Sequence, residues 1–259
     1  MFINNLDPIF AQFGPFTIRW YGLMLGIGVL ACLITYYWLA KNDKEKLNTL
    51  YDLSVWLIIG GLIGARLGHI LFYNLPYFLA HPSEIIFINH GGLSSHGLTI
   101  GLLLTAWIYQ KVKKIDLKNY LDLMVVPIPF LAGCIRMGNF FNSEIIGKAT
   151  DVPWGVYFAQ VDAAVIMRHP QQLYEAFTCF IIFGITLFVY KKIQPNQPRL
   201  LTFYFFLLTY FTTRFLLEFT KEPHNLEGFF LTTGQILSVP FIIWSGSWLY
   251  RKLKGKSKK

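Results

Sequence analysis

The sequence predicts an all-α integral membrane protein, a bundle of seven transmembrane helices with its N-terminus outside and its C-terminus in the cytoplasm. Of its 259 residues, 54% are hydrophobic and only 14% are charged, and the mean hydropathy is +0.45. A soluble domain carries about a quarter charged residues, and a spanning helix needs about 20 apolar residues. Seven such segments with short loops occupy the whole chain, so we expect a single membrane domain over residues 1–259.

The basic residues predict the orientation. The net charge is +9, and 16 of the 23 lysines and arginines lie in alternate loops and the C-terminal tail, at 41–46, 111–118, 191–199 and 251–259. The positive-inside rule places these stretches in the cytoplasm. The same location argues against a nucleic-acid partner. The longest stretch between segments, about 139–170, is then an external loop or head region.

The first two segments are long and apolar. Segment one is predicted at Trp20–Ala40, with aromatic residues at both ends, as is common at membrane interfaces. Segment two is predicted at 53–72 and carries Gly60, Gly64 and Gly68. Small residues at four-residue spacing let another helix approach closely, so we interpret this ridge as a helix-packing face.

The later segments are more interrupted. Segment four begins near residue 120 and contains Pro127 and Pro129, which predict a kink or a break. The other segments are predicted at 96–112, 171–190, 200–219 and 231–250. The three cysteines lie in or beside apolar runs, so we interpret them as packing residues and not as disulfide partners or metal ligands (Cys32, Cys134 and Cys179).

Ionisable residues within the predicted segments share a depth in the outer half of the membrane. Such residues are costly in lipid and usually face a cavity or one another. Arginine suits a phosphate group because its planar fork binds two oxygen atoms and stays charged. The set therefore indicates an anionic ligand, although snorkelling or structural ion pairing would explain single members, Arg66 above all. Its members are Tyr21, Arg66, His96, Arg136, Glu175, Arg214 and Glu218.

The densest polar stretch is 136–147, which contains Arg136, Asn139, Asn142, Glu144 and Gly147. An arginine, two amides and a carboxylate beside glycines are typical of a ligand-binding loop, because glycine permits close backbone approach. The alternative interpretation is a capped helix end with ordered amides.

Two histidines also stand near predicted helix starts. His96 opens segment three, where it could act as a base near neutral pH or as an interfacial hydrogen-bonding residue. His169 precedes Pro170 at the start of segment five, where it could contact a ligand or merely neighbour the helix cap.

Six blocks of this sequence, in this order, resemble the prolipoprotein diacylglyceryl transferase family: 20–22, 64–68, 90–101, 136–147, 169–175 and 214–218. The resemblance implies an inner-membrane enzyme that moves the diacylglyceryl group of phosphatidylglycerol to the lipobox cysteine thiol of a prolipoprotein and releases glycerol 1-phosphate. It implies no metal ion and no cofactor. The family residues associated with activity correspond to Tyr21, His96, Arg136, Asn139, Glu144, Gly147 and Arg214.

The chain departs from the family pattern at two places. Ile135 stands where the family usually has glycine before the signature arginine, and Leu98 follows Gly97 where a further glycine is usual. Both changes add bulk beside a predicted site residue, so they bear on local backbone geometry.

The resemblance leads to a mechanistic hypothesis. Arg136 and Arg214 would hold the lipid phosphate, and His96 would accept the thiol proton unless the arginines alone lower the thiol pKa. Asn139, Asn142 and Tyr21 would bind the headgroup, while Glu144 and Glu218 would orient arginines. Arg66 and Glu175 would support the site.

Two other functions are compatible with a polytopic membrane protein. A lipid or anion transporter could use a broken helix, but it would more often show repeats and charges at the midplane. A purely structural seven-helix protein would not need the polar set.

Overall fold

The computed structural model describes residues 2–14, 16–87, 92–194, 199–222 and 230–254. Of the sequence features above, His90, Gly91 and the last lysines of the basic tail lie outside the described residues. The chain forms two compact units, one made of Met1–Leu39 with Leu121–Lys259 and the other of Ala40–Tyr120.

Each of the seven predicted segments is helical. Among the described residues, four helical stretches are long and apolar enough to cross a membrane, and they lie at Trp20–Ala40, Lys44–Tyr73, Leu121–Phe141 and Gln171–Ile193. The first and second are single helices, α1 and α2, and a short helix α3 follows at Leu75–Ala80. The other three predicted segments form shorter or less apolar helices, so their crossing of the membrane remains a prediction: α4 (Ser95–Lys113), α8 (Leu201–Leu217) and α9 (Thr233–Lys254).

Segment four is broken, as the prolines predict. Helix α5 spans Leu121–Met124 and helix α6 spans Ile128–Phe141, with Pro127 at the N-cap of α6. Helix α7 follows at Gln171–Phe188 and continues as a π-helical turn to Ile193. In the unit made of Met1–Leu39 and Leu121–Lys259, α6 packs on α7, and α8 packs on both α7 and α9.

In the unit Ala40–Tyr120, α2 packs against α4 through glycines on both helices. A Cβ atom added to Gly64 would lie 2.6 Å from the Cα of Gly101, and one added to Gly68 would lie 2.5 Å from the Cα of Gly97. Only glycine permits this backbone contact. The prediction of a packing face on segment two is therefore confirmed, and its partners are the glycines of α4.

The chain is mostly helical, but the expectation of an all-α fold has to be corrected for two small sheets. Strand β1 (Phe2–Asn4) pairs in parallel with β4 (Val156–Phe158), which pairs antiparallel with β5 (Met167–Arg168). Strands β2 (Ile9–Phe13) and β3 (Phe16–Arg19) form a hairpin directly before α1. Strands of two to five residues show too little alternation of apolar and polar residues to be distinguished from loops in the sequence.

Candidate active site

Arg136 lies in the last turns of α6, where the packing of α6 on α7 places it beside Glu175. Its Nε atom forms an ion pair with the Glu175 carboxylate, and its Nη1 atom donates a hydrogen bond to Asn139 Oδ1 at 3.2 Å. The side chains of Arg136 and Glu175 are only 19% and 13% exposed. Two side chains thus orient the guanidinium group within a mostly buried setting.

Glu144 completes this network without an ion pair to Arg136 among the described residues. Its two carboxylate oxygens accept hydrogen bonds from Asn139 Nδ2 at 2.9 Å and from Asn142 Nδ2 at 3.2 Å. Because Asn139 donates to Glu144 and accepts from Arg136, its amide group is held in one orientation. Glu144 therefore acts on the guanidinium through Asn139.

The loop after α6 has an unusual backbone. Ser143 and Ile145 have φ values of 54° and 55°, a left-handed conformation that is costly for residues other than glycine, most of all for a β-branched one. The loop is held by Gln172 of α7, whose Nε2 atom donates to the Glu144 carbonyl at 2.5 Å. A neighbouring helix thus fixes the position of Glu144.

Two glycines of the 136–147 stretch are required by close contacts. A Cβ atom on Gly138 would lie 3.1 Å from the Cα of Tyr21, so Gly138 allows α1 to approach α6 there. A Cβ atom on Gly147 would lie 2.5 Å from the carbonyl oxygen of His169, to which the Gly147 amide donates at 3.1 Å. Half-buried Tyr21 and the Gly147 backbone are therefore built into the same region as Arg136.

A narrow pocket opens between α6, α7 and α8 beside the Arg136–Glu175 pair. Arg214 of α8 lines this pocket and is half-buried. Among the described residues, its guanidinium has no hydrogen-bond or ion-pair partner. The remaining lining residues are Thr178, Cys179, Tyr210, Thr213 and Leu217. The pocket thus combines one paired arginine with one that has no partner among the described residues.

Glu218 follows Arg214 by one helical turn but has a different partner. Its carboxylate is buried, lies 3.8 Å from Lys221 Nζ, and packs against Gly234 of α9. Among the described residues the carboxylate thus pairs with Lys221, whereas the sequence led us to expect that Glu218 orients an arginine.

Sequence reasoning missed Arg168, which joins three segments beside the site. It forms a bidentate ion pair with Asp162, at 2.6 and 2.8 Å, and also donates to Glu222 at 3.1 Å and to the Gly147 carbonyl at 3.3 Å. The hydrogen bonds from Arg168 hold the pKa of the Asp162 carboxyl below its usual value. Arg168 lies in the predicted external region, where charged residues are common, so only its place next to His169 could have drawn attention to it.

His169 is part of the same junction. Its Nδ1 atom lies 3.1 Å from the Tyr174 hydroxyl, which accepts a hydrogen bond from Trp154 Nε1 at 2.7 Å. The His169 amide donates to the Lys148 carbonyl at 3.0 Å. These contacts favour the interpretation of His169 as a residue that holds the start of α7.

Arg66 lies in the unit Ala40–Tyr120, and its partners are backbone carbonyl groups. It is 7% exposed and donates hydrogen bonds to the carbonyl oxygens of Glu84, Ile85, Phe87 and Gly92 at 2.6 to 3.2 Å. The interpretation of Arg66 as a structural residue, left open by the sequence, is favoured by this geometry.

His96 belongs to the same unit, as the second residue of α4, and its side chain is exposed. The helix start is fixed by Ser94, whose hydroxyl accepts from the Gly97 amide at 3.2 Å and whose own amide donates to the Ala65 carbonyl at 2.9 Å. The imidazole is therefore presented from a rigid helix end.

Comparison with known proteins gives a consistent family. The sequence profile described as Prolipoprotein diacylglyceryl transferase matches residues 8–251. A phosphatidylglycerol–prolipoprotein diacylglyceryl transferase of Chloroherpeton thalassium is 40% identical over 256 residues, which cover 96% of this chain and 94% of the relative. Relatives of the same name from Tolumonas auensis and Bacteroides fragilis are each 39% identical, and the matches cover 94% and 93% of this chain and 94% and 91% of the relatives.

Proposed function

The chain belongs to the prolipoprotein diacylglyceryl transferase family of enzymes, and we propose that it transfers the diacylglyceryl group of phosphatidylglycerol to the lipobox cysteine thiol of bacterial prolipoproteins. The products are a thioether-linked lipoprotein precursor and glycerol 1-phosphate, and the reaction is the first step of lipoprotein maturation. The observation that supports this function best is the pocket that holds Arg136, Glu175 and Arg214. No metal ion or cofactor takes part in the proposed reaction.

The reaction is a displacement at the C3 carbon of the lipid glycerol. The cysteine sulfur forms a bond to this carbon while the bond from the carbon to the phosphate oxygen breaks, and the electron pair leaves with the phosphate. The thiol loses its proton, and negative charge grows on the leaving group. A free thiol has a pKa of about 8.5, so the enzyme has to promote thiolate formation and stabilise the departing phosphate.

Arg136 and Arg214 are the proposed phosphate ligands. The two arginines line one pocket and are half-buried, and an electrostatic interaction is stronger there than in water. The Glu175 and Asn139 contacts of Arg136 fix its orientation before the lipid binds, so little reorganisation is needed as charge develops. The absence of a partner for Arg214 among the described residues leaves its fork for the lipid phosphate.

The other site residues surround this phosphate position in our proposal. Tyr21, Asn139 and Asn142 bind the headgroup, Glu144 orients the two amides, and Gly147 keeps the loop in place. Glu175 and Glu218 support the arrangement from their own contacts, and Arg66 supports the fold of its own unit.

His96 is the proposed general base. It is exposed at the start of α4, and imidazole accepts a proton near neutral pH. The alternative role is lipid binding, with the arginines alone lowering the thiol pKa. Substantial turnover by His96→Gln at raised pH with normal lipid affinity would favour that alternative.

The chain is a multi-pass membrane protein, and for its topology we propose seven spans in a single membrane domain. The N-terminus lies outside, the C-terminus lies in the cytoplasm, and the head region of about 139–170 lies outside as well. The alternation of basic loops supports this orientation. The active site then faces the outer side of the bacterial inner membrane, where prolipoproteins emerge.

A reconstituted reaction tests the proposal. Purified protein is mixed with phosphatidylglycerol and a lipobox peptide, and release of glycerol phosphate is followed. We expect release that requires the peptide cysteine, shown by a cysteine-to-serine peptide, and that is lost in Arg136→Ala. Bound phosphatidylglycerol without release would overturn the transferase proposal in favour of a lipid-handling protein.

A further inference from the structure

Positively charged side chains outnumber negatively charged ones in the pocket. Arg136 and Arg214 each contribute one positive charge, and Glu175 contributes one negative charge from within the pocket. Glu144 and Glu218 do not line the pocket: Glu144 bonds to Asn139 and Asn142, and Glu218 pairs with Lys221. The formal charge of the pocket is therefore +1.

Glu175 also occupies part of the surface that a phosphate group would use. Its carboxylate pairs with Nε of Arg136, and Nη1 of the same group is engaged by Asn139. A phosphate bound to Arg136 would therefore be separated from the Glu175 carboxylate only by the width of the guanidinium group. The energy of this repulsion is proportional to the charge of the ligand and is large where water is scarce.

We propose that Glu175 lowers the affinity of the pocket for a doubly charged phosphate ligand more than for a singly charged one. This inference rests on the proposed function. Phosphatidylglycerol is a phosphodiester with one negative charge, which brings the charge of the pocket to zero. The product is a phosphate monoester, and such groups carry about −1.5 to −2 at pH 7. Glu175 is thereby a specificity residue that favours substrate binding over product retention.

Removal of this carboxylate has a distinctive quantitative consequence. Glu175→Gln keeps the size of the side chain and a carbonyl oxygen for Arg136 but removes the negative charge. Since the Coulomb energy doubles for a doubly charged ligand, the affinity gain for a monoester is about the square of the gain for a diester. If the diester binds about 4-fold more tightly to the variant, the monoester binds roughly 16-fold more tightly.

Binding measurements on the purified full-length protein test this inference without turnover. The probes are glycerol 1-phosphate as the monoester and glycerophosphoglycerol as the diester, each titrated into wild type and Glu175→Gln at pH 7.5 in lipid-free detergent. Glu222→Gln is the matched control, because Glu222 is an exposed carboxylate that pairs with Arg168 outside the pocket. It makes the same change in total charge and is expected to leave both affinities unchanged.

The expected result is tighter binding of both probes to Glu175→Gln, with the larger gain for the monoester. Equal gains would show that Glu175 only competes for space, and weaker binding of both would show that it only orients Arg136; either result overturns the inference. Glu175→Ala gives a second test, which stands even where Glu175→Gln does not fold, because it removes the same charge and has to show the larger gain for the monoester.

The two proposals fail in distinguishable ways. Charge-selective binding without glycerol phosphate release would overturn the transferase function and leave the selectivity of the pocket in place. Transferase activity without charge selectivity would overturn the role of Glu175 alone.

Discussion

Arg66 and Arg136 both lie within apolar helices, but the groups around them differ in kind. Arg66 donates to four backbone carbonyl groups, those of Glu84, Ile85, Phe87 and Gly92, so its hydrogen-bonding capacity is used by the fold. Arg136 is held by the side chains of Glu175 and Asn139, and Arg214 lines the same pocket without a partner among the described residues. Backbone partners cannot be exchanged, whereas a side-chain partner can yield to a ligand. The region around Arg66 is thus held by backbone contacts, whereas the region around Arg136 is held by side chains.

The largest expected effect is on activity, in the region held by side chains. Arg136→Lys keeps the charge but loses the planar fork, so the leaving phosphate loses one of two parallel hydrogen bonds. We expect kcat/KM for glycerol phosphate release to fall about 10²- to 10³-fold with a nearly unchanged unfolding temperature, as is usual when a transition-state donor is removed.

Arg19→Lys is the matched control, because Arg19 lies on β3 and is exposed. It should keep kcat/KM close to that of wild type. Activity of Arg136→Lys near the wild-type level would contradict the bidentate phosphate contact.

Arg66 should respond in the opposite way. Arg66→Met leaves buried carbonyl groups without their donor, at a cost of about 3 kcal/mol in unfolding free energy, summed over several lost hydrogen bonds. We expect a clear loss of thermal stability in detergent, with KM for phosphatidylglycerol little changed in the fraction that remains folded. A normal unfolding temperature with a raised KM for phosphatidylglycerol would contradict the structural role of Arg66, because Arg66 would then bind the lipid.

The glycine contact between α2 and α4 tests the backbone-held region in a second way. Gly64→Val places a side chain where the Cα of Gly101 lies 2.6 Å from the new Cβ atom, which should cost about 2 kcal/mol. Gly184→Ala in α7 is the control, since nothing lies within 4 Å of its added Cβ atom. Thermal unfolding should show a marked loss for the first variant and none for the second, and equal unfolding temperatures would contradict the contact.

The smallest expected effect concerns the Asp162–Arg168 pair beside the Gly147 loop. The pKa of the Asp162 carboxyl is lower in the folded protein than in the unfolded chain, where it is about 3.9. The carboxylate therefore stabilises the fold fully at pH values above the unfolded pKa, and this contribution is lost as the pH falls through the folded pKa. Asp162→Asn should cost about 0.5–1 kcal/mol at pH 7 and progressively less below about pH 4.

Unfolding temperatures measured at pH 7 and pH 3 check this sign. Asp151→Asn, in an exposed position of the same loop, should match wild type at both values. A difference between wild type and Asp162→Asn that grows toward acid would show that the pair does not stabilise the fold.

Much of the helical architecture could be predicted from the sequence, because long apolar runs and helix breakers are local signals. Three predictions are confirmed: a helix at about Trp20–Ala40, an interruption at Pro127, and the packing face of Gly60, Gly64 and Gly68. The partner glycines of α4 were not predicted, since Gly97 and Gly101 are spaced like the others but lie in a more polar stretch.

The contacts of the candidate site could be predicted only in part. Arg66, Arg136 and Glu175 were grouped by their similar predicted depth in the membrane. Depth does not distinguish a residue with backbone partners from one with side-chain partners. The carbonyl groups around Arg66 carry no sequence signal, because every residue has one. Arg168 was missed for a related reason, since its ion pair with Asp162 lies where charged residues are common.

The attachment of the first strand has a consequence for biogenesis. Asn4 is buried, and its side chain donates to the carbonyl of Phe140, 136 residues later, while β1 pairs with β4 at Val156–Phe158. Ribosomes add about 5–20 residues per second, so the N-terminal strand waits roughly 7–30 s for its partners. The loop after Arg136 therefore reaches its final form late in synthesis, and a bulky tag ahead of Phe2 should delay this step far more than a tag after α9.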